Sequence, residues 1–202
     1  MGLTALEIIL LLCGGMGIFD ALNTGFASAG TGGFGVRNNN MAAYSHYSQV
    51  VIAIFLVLFG TNFSFYIMLL TKKFKQAFKM EELWLYIGII AVSTLIISVN
   101  ISSLYPTAYE SFHQGFFYVT SIISTAGFGI YDVNRWPELS KAVIIIITFI
   151  GAMAGSTGGG FKVSRILILC KEVRKEFALL VHPRNVRTVK KKKKTVDHNI
   201  MR

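Results

Sequence analysis

The chain alternates long uncharged apolar runs with short polar ones. Asn38 to Thr71, Leu83 to Tyr109 and Ala142 to Phe161 contain no charged residue, and each reaches the ~20 residues a helix needs to cross a hydrocarbon core. The first 19 residues hold one charge, Glu7, and predict a shorter helix, read as a span cut short at its amino end. A signal peptide is the rival there, but no Lys or Arg stands before the apolar stretch.

Between the runs a motif occurs twice. "SAGTGGFGVRNNN", residues 28–40, and "STAGFGIYDVNRW", residues 124–136, share the pattern Thr-Gly/Ala-Gly-Phe-Gly. The likeness extends upstream: Asp20 lies five residues before Gly25-Phe26, as Glu110 does before Gly115-Phe116. The second copy has four more residues between that Phe and the turn, about one helical turn, so the same helix face is kept. Each copy is followed by an apolar run, Ala42 to Thr71 or Lys141 to Cys170, giving a unit of span, short helix, Gly turn and span.

Charge decides how the short helix sits. Lys72, Lys73, Lys75 and Lys79 form one basic loop and the tail after Lys171 forms another. The positive-inside rule puts both in the cytoplasm and requires an even number of crossings between them. Leu83 to Leu104 and Ala142 to Leu169 supply two. A helix from Phe112 to Ser124 is about 20 Å long against a core of ~30 Å. It is therefore predicted to enter and return on one side. The expected fold class is an all-α membrane protein of repeated helix, re-entrant pore helix and helix units, with about four spans and two re-entrant pore loops. The units are 1–80, 81–181 and a basic cytoplasmic tail, 182–202.

Composition agrees. Hydrophobic residues make up 53% of the chain and charged residues 15%, with a mean hydropathy of +0.55. The net charge of +10 resides wholly in the segment from Lys162 onward, which has thirteen basic and three acidic residues. Such a tail can bind nucleic acid, but directly after a span it reads as an anchor to anionic lipid, so no nucleic-acid partner is expected. Cys13 and Cys170 lack CxxC spacing, and His46, His113, His182 and His198 are isolated along the chain, so no metal-ligand motif is present. No nucleophile, base and oxyanion constellation is visible, which argues against an enzyme.

Non-helical backbone at membrane depth is tolerated where protein buries it or where it lines a watery path. Carbonyls around a Gly turn can replace an ion's hydration shell without a side-chain charge, and Gly33 and Gly127 permit φ values that other residues resist. The carboxyl ends of the short helices present the negative ends of their dipoles, which favours a cation. Phe34 and Phe128 are expected to wedge the turns.

The stretches "FDALNTGFASAGTGGFGVRN", "FLVLFGTNFSFYIMLL", "STAGFGIYDVNRWP" and "FIGAMAGSTGGGFKVSRILILCKE", with "HPR" at 182–184, resemble the Trk/Ktr/HKT superfamily of potassium transporters, and more narrowly its bacterial TrkH-type subunits. The resemblance implies four repeats around one pore, this chain matching most of the second and all of the third. It places filter segments at Thr31, Gly32, Gly33, Phe34 and at Thr125, Ala126, Gly127, Phe128, with potassium held at their carbonyls only and no cofactor. It implies homodimers, a cytoplasmic ring of nucleotide-binding regulatory subunits, and residence in the bacterial plasma membrane with the tail inside. A non-conducting partial scaffold and a basic-tailed anchor for a cytoplasmic partner are the alternatives.

Two further Gly motifs imitate nucleotide sites. "GTGGFG" matches GxGxxG but lacks the preceding strand, and "GSTGGGFK" lacks the GK[ST] of a phosphate loop. In the latter, Gly151, Gly155 and Gly159 at four-residue spacing suit close helix packing, while Ser156, Thr157, Gly158, Gly159 and Gly160 equally suit a break in the span. The resemblance makes that break, Gly155 to Gly160 with Lys162, an intramembrane gate beneath the filter. Lys162 and Arg165 either snorkel to the interface or set the field at the inner pore mouth. Arg37, Asp132, Arg135 and Glu138 read as solvated outer-surface residues.

Overall fold

A computed structural model of the chain describes residues 1–181 and, beyond them, only 190–191 and 194–195. The rest of the tail, and so its expected cytoplasmic placement, lies outside the described residues. Its regular elements are helices, apart from a two-residue antiparallel ladder pairing Lys190 with Thr195 and Lys191 with Lys194.

The first unit comprises α1 (Gly2–Cys13), α2 (Ile18–Ala29), α3 (His46–Phe59) and α4 (Phe63–Leu70), and a single turn, α5 (Phe74–Ala77), leads on to the second. That unit comprises α6 (Glu81–Asn100), α7 (Ala108–Ile123), α8 (Glu138–Ile150) and α9 (Val163–Val181). The repeat read from the sequence is present in three dimensions. Gly25 on α2 lies against α1, where an added Cβ would sit 2.5 Å from Ile8; its twin Gly115 on α7 lies against α6, where the corresponding atom would sit 2.7 Å from Ser98 Oγ. In both units a glycine lets the short helix approach the first span closely.

α6 fixes where the chain that carries α7 leaves and returns. At one end, Ser140 at the start of α8 donates to Asn100 at the end of α6, 2.7 Å away. At the other end, Lys171 of α9 pairs with Glu81 and the Ala154 N–H donates to Glu82, 2.7 Å away. Since α6 and α8 run antiparallel between these ties, the chain from Asn100 to Ser140, α7 included, leaves and returns at the same end.

Among the described residues, α6 is alone long and apolar enough to cross by itself, about 30 Å at 1.5 Å per residue. The run Ala42 to Thr71, expected as one span, is two helices bent by 87°. Gly60 ends α3, the Thr61 hydroxyl bonds back to Val57 O at 2.9 Å, and Asn62 Oδ1 caps α4 through Ser64 N at 2.8 Å. A Gly before an Asn N-cap is a helix stop followed by a helix start. The third run breaks as well: α8 ends at Gly151, whose φ is +69°, and α9 resumes at Val163. Of the two readings of its glycines, the break holds and the continuous packed helix does not.

Two apolar cores form. One gathers Leu11, Met41, Ile52 and Leu56 of the first unit with Phe117 and Phe128 of the second; the other is built on α6, with Tyr86, Ile97, Ile123 and Trp136. The first core therefore joins the two units.

Candidate functional site

Both short helices end in the same bonding pattern. After α2, Thr31 N donates to Ser28 O (3.1 Å) and Gly32 N to Ala27 O (2.7 Å); after α7, Thr125 N donates to Ile122 O (2.9 Å) and Ala126 N to Ser121 O (3.0 Å). These tight closures consume the helix-end carbonyls. The chain then leaves through two left-handed residues in each copy: Thr31 (φ +51°) and Gly33 (φ +67°), Thr125 (φ +62°) and Gly127 (φ +82°). The glycines were expected there. The threonines were not, because β-branched residues rarely take that conformation.

The closure frees the carbonyls that follow. Among the described residues no donor reaches those of Thr31, Gly32, Gly33, Thr125, Ala126 or Gly127. The two turns are neighbours, since a Cβ on Gly33 would run into the Ala126 carbonyl. The two Phe residues differ: Phe128 is buried in the inter-unit core, as a wedge should be, whereas Phe34 is 84% exposed.

The segment after each turn is tied back to its own short helix. Arg37 donates through Nε and Nη2 to Asp20, both at 3.1 Å, and this acceptor raises the guanidinium pKa. Arg37 is thus a tether as well as a solvated surface charge. In the second unit the Tyr118 hydroxyl takes this place, accepting from Ile130 N (3.2 Å) and Tyr131 N (2.9 Å) and donating to Tyr131 O. Trp136 packs edge-on against it at 4.9 Å. Asp132 accepts from the Asn134 backbone and amide, and Glu138 pairs with Lys141.

The break in the third run is a closed loop, 151–162, which touches both turns. Its neck is sealed by Phe161 N to Phe149 O (3.2 Å), Lys162 N to Ile150 O (3.0 Å) and Val163 N to Ala152 O (3.1 Å). At the neck Gly160 faces Gly151, and a Cβ on Gly160 would lie 2.7 Å from Gly151 Cα. Thr31 Oγ1 donates to Thr157 O (3.3 Å), and Gly159 N donates to Thr125 Oγ1 (2.6 Å). The loop also meets the other break: Met153 N donates to Gly60 O (3.0 Å) and Phe63 N to Gly155 O (2.9 Å). Ser156 bonds within the loop to Met153 O at 2.7 Å. Lys162 donates to Gly158 O rather than snorkelling away, and Arg165 lies over Phe161.

The structure therefore brings Thr31 to Gly33, Thr125 to Gly127, Thr157 and Gly159 together, and leaves Phe34 outside. Sequence reasoning missed Glu82 and the Gly60 to Asn62 break. The "GTN" signal could have found the break, whereas nothing local marks Glu82. Among the described residues no group of three or more His, Cys, Asp or Glu is placed to hold a metal.

Paired units of span, re-entrant helix and broken span define an all-helical membrane protein with pore-helix repeats. The chain belongs to the TrkH family of cation transport proteins, whose family model matches residues 87–202; the family is one of transporters, not enzymes. The chain is 33% identical over 98% of its length to the Trk system potassium uptake protein TrkH of Escherichia coli K12, and 30% identical over 93% to TrkG of the same strain. The crystal structure of the potassium transporter TrkH from Vibrio parahaemolyticus superposes with a TM-score of 0.88 at 31% identity, covering 93% of this chain and 42% of that one. The chain spans 42% of the length of the Escherichia coli TrkH it matches.

Proposed function

We propose that the two turns, Thr31 to Phe34 and Thr125 to Phe128, are filter segments of a potassium pathway and that loop 151–162 is its gate. The observation that carries this reading is the repeated closure and left-handed pair, which leaves the same carbonyls unbonded in both units. Preorganised carbonyls stabilise a dehydrated cation without a counter-charge. The bonds from the loop to Thr31 and Thr125 support a gate that touches the filter directly.

Two turns do not close a ring. The conducting unit in this reading includes the further repeats implied by the resemblance, a second copy, and cytoplasmic nucleotide-binding regulatory subunits. Its setting is the bacterial plasma membrane, with 182–202 in the cytoplasm and 1–80 and 81–181 as successive repeats. The test is ion flux in a complete four-repeat protein: Gly33→Ser and Gly127→Ser each lower the potassium-over-sodium permeability ratio. Unchanged ratios in both variants refute the filter assignment.

A further inference from the structure

The structure brings together two histidines that the sequence keeps apart. His46 is the first residue of α3, and His113 lies in the second turn of α7; their ring centroids are 4.8 Å apart, with the planes tilted by 54°. We propose that they form a site for one divalent transition-metal ion of the zinc, nickel or copper class, clamping the first unit to the second.

His113 carries the argument. It is 4% exposed, and neither ring nitrogen has a hydrogen-bond partner. A neutral imidazole offers one donor and one acceptor, and buried polar atoms are seldom left unpaired. Here both are, beside a second imidazole. Tyr109 also lies alongside the His113 ring, with centroids 6.3 Å apart and planes 23° apart.

His46 is exposed, so its ring is free to turn a nitrogen toward the shared ion. It stands directly after Ser45, the capping residue of α3. Metal–nitrogen bonds of about 2.0–2.1 Å place the centroids of two imidazoles on one tetrahedral ion about 5 Å apart, and the observed separation is close to this. The nearest acidic residue along α7 is Glu110, one turn before His113. No third protein ligand is in place among the described residues, so water completes the shell. Borderline metals with an affinity for imidazole fit such a site, whereas hard cations such as magnesium do not.

The test uses the full chain in detergent, purified without a polyhistidine tag. Cys13→Ser, Cys170→Ser, His182→Ala and His198→Ala remove every other thiol and imidazole. Calorimetric titration with nickel or zinc then yields one ion per chain, with binding lost as pH falls through the imidazole range. Both His46→Ala and His113→Gln weaken it at least tenfold. The metal raises the melting temperature of the background protein and leaves that of His46→Ala unchanged; because His46 is exposed, that variant keeps its fold. Failure of the background protein to bind, or unchanged affinity in either variant, overturns the proposal.

Discussion

Glu7 and Ser28 show what a single hydroxyl does in this fold. Glu7 is fully buried on α1, and one carboxyl oxygen accepts from Ser28 Oγ on α2 at 2.5 Å. Its other oxygen has no partner. Ser28→Ala therefore strands the whole carboxyl group and lowers stability by about 1–3 kcal/mol, the usual cost of an unsatisfied buried group. Glu7→Gln keeps an acceptor for Ser28 and costs less. Thermal unfolding in detergent of both variants checks the order, and equal melting temperatures would show that the pair is not coupled. At this scale the sequence was legible where backbone geometry restricts residue type, as at Gly33 and Gly127. It was silent where a side chain's role comes from a distant partner, as with Glu82 and Ala154. The left-handed threonines escaped for a related reason: their strain is held by bonds to Thr157 and Gly159, more than thirty residues away.

At the scale of elements, the repeat and the re-entrant course of α7 were legible because period and charge are written along the chain. The bend after α3 was less so. Its apolar run is unbroken, and hydropathy does not register a helix stop made by one glycine and one asparagine. Two expectations belong to the loop between α8 and α9. Glu82→Ala removes the acceptor for Ala154 N and frees the loop from α6, so amide exchange across 153–160 speeds up in mass-spectrometric measurements while that of α7 stays unchanged. Exchange equal to that of the parent would show that the neck alone holds the loop. Replacing Gly158 to Gly160 by alanines has a different outcome from simple helix extension. Cβ atoms at Gly158 and Gly160 would meet Ser124 O and Gly151 Cα, each at 2.7 Å. The loop is thus displaced from the two turns, and under the proposed function flux in the complete protein changes severalfold with selectivity kept. Altered selectivity with unaltered gating would move the gate elsewhere.

At the scale of the whole molecule, the ties of α6 at its two ends fix a topology that labelling can read. In a Cys13/Cys170-free background, single cysteines at Ser103 and Asn134, both exposed, react with an impermeant thiol reagent added outside, and one at Gln76 does not. Labelling of Ser103 and Asn134 from opposite sides would make α7 a crossing helix. The inter-unit core has a longer reach. Phe128 leans on the wall of the unit that precedes its own, among Met41, Ile52 and Leu56, whereas Phe34 is bare. During synthesis, which runs from the amino end, the wall that receives Phe128 is therefore made before the side chain that rests on it.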